Sequence, residues 1–169
     1  MSTAGCLVLI AALGAAGMDL RSGKIPNGWI VTILILGFWY QMADPDGKGP
    51  AEFAVGLCLP ILLLGWLFCF RMLGAGDIKL LSALGAVMGG KAILFCIFWS
   101  MLFGAVISVM ILFICGCCMQ RLLYFTSYIK RFLKTKIREP YRLKGQRQEH
   151  FHFSAAILMG ALLWIGGIY

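Results

Sequence analysis

The apolar residues of this chain gather into six blocks, about 4–18, 28–43, 51–70, 78–90, 92–119 and 151–169, separated by short polar connections. No other feature limits the fold so strongly. Blocks of this length, with neither the alternation of a strand nor the seam of a coiled coil, suit helices in lipid, where each segment must bond its own backbone. Composition agrees: 61% of the 169 residues are hydrophobic, 13% are charged and the mean hydropathy is +0.89, outside the range of soluble domains. An all-α, polytopic helical bundle of about six transmembrane helices is expected, forming a single membrane-embedded domain over residues 1–169. The first block, "AGCLVLIAALGAAGM", has the character of a signal-peptide core. No Lys or Arg precedes it and Asp19 follows directly, so a retained first helix is expected.

The connections set the orientation. Arg21 and Lys24 lie in the first, Arg71 and Lys79 around the third, and nine of the 15 basic residues in the fifth, from Gln120 to His150. The second and fourth hold only Lys48 and Lys91. The positive-inside rule therefore puts the first, third and fifth connections in the cytoplasm and both ends of the chain outside. The fourth block is short: from Asp77 to Gly90 a helix reaches roughly 21 Å, against a hydrocarbon core of about 30 Å. A re-entrant segment would carry the basic fifth connection outside, so charge favours a short true span.

The fifth connection, 120–150, is expected to be more than a linker. In "RLLYFTSYIKRFLKTKI", Leu122, Phe125, Ile129, Phe132 and Leu133 fall at helical spacing, with Lys130, Arg131, Lys134 and Lys136 among the rest. That pattern predicts a basic amphipathic interfacial helix held by anionic lipid headgroups. Topology accounts for the basic tract fully, so no nucleic-acid partner is expected. The cysteines argue for no metal site. Cys6, Cys58, Cys69 and Cys96 stand singly in apolar blocks, and the "CGCC" run at 115–118 has no His or second Cys pair at ligand spacing, leaving acylation open.

Of the seven acidic residues, Asp44, Asp46 and Glu52 belong to an outer turn, and Glu139 and Glu149 are diluted among basic residues. Asp19 and Asp77 stand apart. Each sits where an apolar block meets a cytoplasmic turn, at a depth where an ionisable side chain is costly and is first read as functional. Asp77 could instead be an N-cap, and Asp19 the partner of Arg21 or Lys24 in a salt bridge. Two carboxylates brought together in low dielectric share a proton, the arrangement by which an aspartic peptidase activates water. One takes a proton from water while the other polarises the scissile carbonyl. Helix-end electrostatics favour the charge on Asp77, which opens a helix, over Asp19, which closes one. Gly74 and Gly76 are expected to let the backbone approach a substrate strand closely.

Asp19 followed by "LRSGKIPN", with "GAGD" at Gly74 to Asp77 continued by "IKLLSALGA", resembles the type IV prepilin peptidases and the archaeal preflagellin peptidases. These are membrane aspartic peptidases of the Gly-x-Gly-Asp type, the class that also contains presenilin and signal peptide peptidase. The resemblance runs from Asp19 through the helix after Asp77, with "HFSAAILMGALL" near the C-terminus a looser match. It implies that Asp19 and Asp77 are the catalytic pair, with Lys24, Pro26, Asn27 and Lys79 shaping the substrate site beside Gly74 and Gly76. The implied reaction is cleavage, at the cytoplasmic face of the inner membrane, of the basic leader of a type IV prepilin or pseudopilin precursor. No cofactor is implied. Larger members carry an N-terminal cytoplasmic insertion with paired Cys-x-x-Cys motifs that binds zinc and supports N-methylation. Here the turn after Asp19 passes straight into the second block. The resemblance is therefore to the small form, as in tight-adherence (Flp-type) pilus systems, cleaving without methylation. Two other classes stay open: a proton- or cation-coupled transporter using the paired aspartates, and a non-catalytic scaffold for pilus assembly.

Overall fold

A computed structural model describes residues 2–43, 49–69, 73–114 and 153–168. The described chain is helical: α1 (Thr3–Ser22), α2 (Asn27–Ala43), α3 (Gly49–Cys69), α4 (Ala75–Met88), α5 (Gly90–Ile114) and α6 (Phe153–Ile165). Contacts divide it into two units, Met1–Gly104 with His152–Tyr169, and Ala105–Phe151. Of the second unit only the end of α5 is described. There Val106, Val109, Met110 and Phe113 are exposed apolar side chains. The expected interfacial helix over 122–136, the "CGCC" run, and the turn holding Asp44 and Asp46 lie outside the described residues.

Within the first unit, the side-chain contacts give the helix directions. Glu52 near the start of α3 bonds Gly90 beyond the end of α4, so α3 and α4 run antiparallel. Asn27 at the start of α2 meets Lys79 near the start of α4, and Gln41 near its end reaches the Val87 carbonyl, so these two run parallel. At one end of α6 Ser154 bonds Asp19, and at the other Ile165 lies beside Gly5, making α6 antiparallel to α1. The Trp29 indole donates to the Ala11 carbonyl at 3.2 Å and lies close against Gly14, where any side chain would collide with the ring.

The short fourth helix is the core of this unit. Ile78 and every residue from Leu80 to Met88 are buried, with α1, α2, α3 and α6 packed around them. A helix walled by protein on all sides has no lipid face, so its length need not match the hydrocarbon thickness. Its small residues serve close approach. At the α3–α4 crossing Gly56 and Gly85 meet backbone to backbone, and a Cβ on either would run into the carbonyl oxygen of the other.

The outward faces are different. Leu62 is 78% exposed and Trp39 69%, values that only an apolar surrounding makes tolerable for so many side chains. Among the described residues three helices, Thr3–Ser22, Gly49–Cys69 and the Gly90–Ile111 part of α5, are long and apolar enough to cross a membrane, and α6 is apolar but shorter.

Helix ends depart from the sequence blocks in one place that matters. α1 does not stop at Met18 but runs on to Ser22. No residue before Gly23 breaks it. Gly23 takes φ 63°, the left-handed conformation that glycine adopts without penalty, and its N–H donates to the Asp19 carbonyl at 2.7 Å. Asp19 thus lies inside the last turn of α1 rather than beyond it. At the opposite end of the bundle Glu52 has a structural task that its place in an outer turn did not reveal. Its Oε2 accepts from the Gly90 N–H at 2.8 Å, capping α5 across the tight Gly89–Gly90 turn, where Gly89 has φ 84°.

Candidate active site

The ends of α1, α2 and α4 and the connections at that end of the bundle surround a cleft of about 370 Å³. It is lined by Asp19, Lys24, Asn27, Gly74, Gly76, Asp77 and Lys79, together with Gly23, Ile25 and Ala75. Both aspartates are half-buried. They come from the last turn of α1 and the first turn of α4, so two carboxylates far apart in sequence open on one space. Pro26 is the exception among the sequence-derived site residues. It does not line the cleft but precedes α2, where its carbonyl accepts from the Trp29 N–H at 3.1 Å.

Asp77 is not the N-cap of α4. That position is Gly74, which makes no side-chain cap, and Asp77 is the third residue of the helix. Its carboxylate turns back over the helix start: a Cβ placed on Gly74 would lie 2.9 Å from Asp77 Oδ2. Gly74 has φ −75° and ψ 144°, a conformation open to any residue. What the glycine provides here is room for the carboxylate. Gly76 differs, because a Cβ there would meet only Ile25, at an ordinary 3.9 Å.

The start of α2 is tied to α4, and the loop between α1 and α2 is tied to the end of α1. Lys79 Nζ donates to Asn27 Oδ1 at 3.1 Å, and Ser22 Oγ donates to the Met18 and Lys24 carbonyls at 2.8 and 3.0 Å. Lys24 and Lys79 are both exposed and bring positive charge to the rim beside the two acids. A smaller opening of about 40 Å³, between α1 and α2, is lined by Leu7, Ile10, Trp29 and Ile33 among others. It is apolar and holds no group suited to acid–base chemistry.

One partner of Asp19 escaped the sequence reading. Ser154, the second residue of α6, donates its hydroxyl to Asp19 Oδ2 at 2.6 Å and is itself fully buried. The only trace of it in sequence is its place in "HFSAAILMGALL", 135 positions from Asp19. It also changes the electrostatics. Counting only the helix that carries each carboxylate set Asp19 against a negative helix end, whereas the start of α6 stands beside the same carboxylate.

Fold and cleft together define a helical membrane protein with two carboxylates opening on a single space at one end of its bundle. The chain matches the type IV leader peptidase family over residues 6–109, a stretch that includes both aspartates. It is also 37% identical over 119 residues to the prepilin leader peptidase/N-methyltransferase of Xanthomonas campestris pv. campestris, covering 66% of this chain and 42% of that protein. The chain thus spans under half the length of that relative. No solved structure matches it. The chain belongs to the type IV leader peptidase family.

Proposed function

We propose that the chain is an aspartic endopeptidase of the inner membrane, with Asp19 and Asp77 as its catalytic pair. It removes the leader peptide of type IV prepilin or pseudopilin precursors at the cytoplasmic face. The observation that carries this is the meeting of the two half-buried aspartates at one cleft, with Lys24, Asn27, Gly74, Gly76 and Lys79 around them. Each carboxylate has a role that the other cannot fill at the same time. The ionised one draws a proton from a water in the cleft, and the oxygen of that water attacks the scissile carbonyl. The protonated one hydrogen-bonds the carbonyl oxygen as charge grows on it, and the collapsing intermediate passes a proton to the leaving amine. The pair supplies both acid and base.

The positive-inside distribution of Lys and Arg supports a six-span topology with the cleft facing the cytoplasm. It would also place the basic connection at 120–150 against anionic headgroups. Hydrolysis without N-methylation belongs to the same proposal: α1 and α2 are joined by residues 23–26 alone, and no paired cysteines stand between Asp19 and α2.

The test is co-expression with a tagged precursor that has a basic leader and a hydrophobic stem, followed by mass analysis of the product. The parent chain should convert it to the shorter form. Asp19→Asn and Asp77→Asn should each leave the protein inserted and abundant but the precursor whole. Processing retained by either variant would remove that residue from the mechanism.

A further inference from the structure

We propose that Ser154 is a positioning residue for Asp19, holding its carboxylate in one orientation for the chemistry. This rests on the peptidase reading above, since an Asp19 without a catalytic role would need no orienting.

At 2.6 Å, the Ser154 Oγ to Asp19 Oδ2 distance falls in the range of a hydroxyl bonded to a charged acceptor. Ser154 has no exposed surface, so no bulk water competes for its hydrogen, and a buried hydroxyl left without its partner would be penalised. The last torsion of an aspartate is broad and roughly two-fold, and so does not set the carboxylate plane by itself. A donor fixed in a second helix does. α6 supplies it from its first turn.

Ser154 does not line the cleft, so it meets no substrate. It also lies outside the 6–109 segment matched by the family. Its influence should therefore fall on turnover and not on substrate affinity.

The experiment compares kcat and KM of the full chain, purified in detergent, on a prepilin precursor for the parent, Ser154→Ala, Ser154→Cys, Ser154→Thr and Asp19→Asn. Loss of a hydrogen bond to a charged group corresponds to about a tenfold fall or more in kcat for the Ala and Cys variants. KM should stay within about twofold of the parent, and the Thr variant, which restores a hydroxyl, should turn over within about threefold of it. Should Ser154→Ala fail to accumulate, Ser154→Cys carries the test, because it keeps the volume and weakens the donor. Turnover by the Cys or Ala variant within twofold of the parent, a loss confined to KM, or a folded Thr variant as impaired as Ala overturns the proposal. The Asp19→Asn control separates the two readings. If that variant is inactive while Ser154→Ala is fully active, only the role of Ser154 falls; if it still cleaves, the peptidase reading falls first and takes this one with it.

Discussion

Replacing Gly74 with alanine should slow catalysis about tenfold while leaving the fold almost intact. An added Cβ would stand 2.9 Å from Asp77 Oδ2, whereas ordinary contact begins near 3.4 Å, so the carboxylate must retreat by about 0.5 Å. The backbone offers no resistance, because φ −75° and ψ 144° suit alanine as well as glycine. Glycine is a better N-cap than alanine, so the loss in stability should be about 0.5–1 kcal/mol. The effect therefore concentrates on the position of the carboxylate. A misplacement of about 1 Å at a reacting centre costs on the order of a hundredfold, so half of that is worth about tenfold, or about 1.4 kcal/mol of barrier. Gly76→Ala is the control, since its Cβ would make only ordinary contact with Ile25. Initial rates of precursor cleavage and thermal unfolding in detergent should be measured for both. A Gly74→Ala enzyme that turns over within twofold of the parent would refute the reasoning. If Gly76→Ala is equally damaged, the two glycines serve close approach of a substrate strand, as the sequence led one to expect, and not the carboxylate.

Gly56→Ala or Gly85→Ala drives a Cβ into the backbone of the facing helix, where nothing flexible can yield. Each should lower stability by about 1–3 kcal/mol, and an unchanged melting temperature would contradict the close α3–α4 crossing. Glu52→Ala removes the acceptor for the Gly90 N–H and should cost about 1 kcal/mol in thermal unfolding. Glu52→Gln keeps an acceptor oxygen and should recover most of that; equal loss in both would mean that charge, not capping, matters. In a cysteine-free background, single cysteines near Lys48 and Lys91 should react with an impermeant thiol reagent from outside the cell, and one near Lys144 should not. Labelling at Lys144 in intact cells would overturn the six-span topology.

The sequence by itself determined that the chain is helical and suited to lipid. Block length, hydropathy and turn residues are local signals, and they lead to the six helices found among the described residues. It also singled out Asp19 and Asp77, because an acid at the edge of an apolar block is conspicuous without any knowledge of packing. Only the tertiary structure decided what surrounds them. Hydropathy does not distinguish a helix facing lipid from one facing protein, since both surroundings are apolar, and so it did not reveal that α4 is the buried centre of its unit. The reach of Glu52 to Gly90 and of Ser154 to Asp19 is a matter of distance between helices, on which spacing along the chain is silent. Helix-end electrostatics, derived one helix at a time, missed the start of α6 beside Asp19 for the same reason: a macrodipole acts through space, and the neighbour that supplies it is chosen by packing.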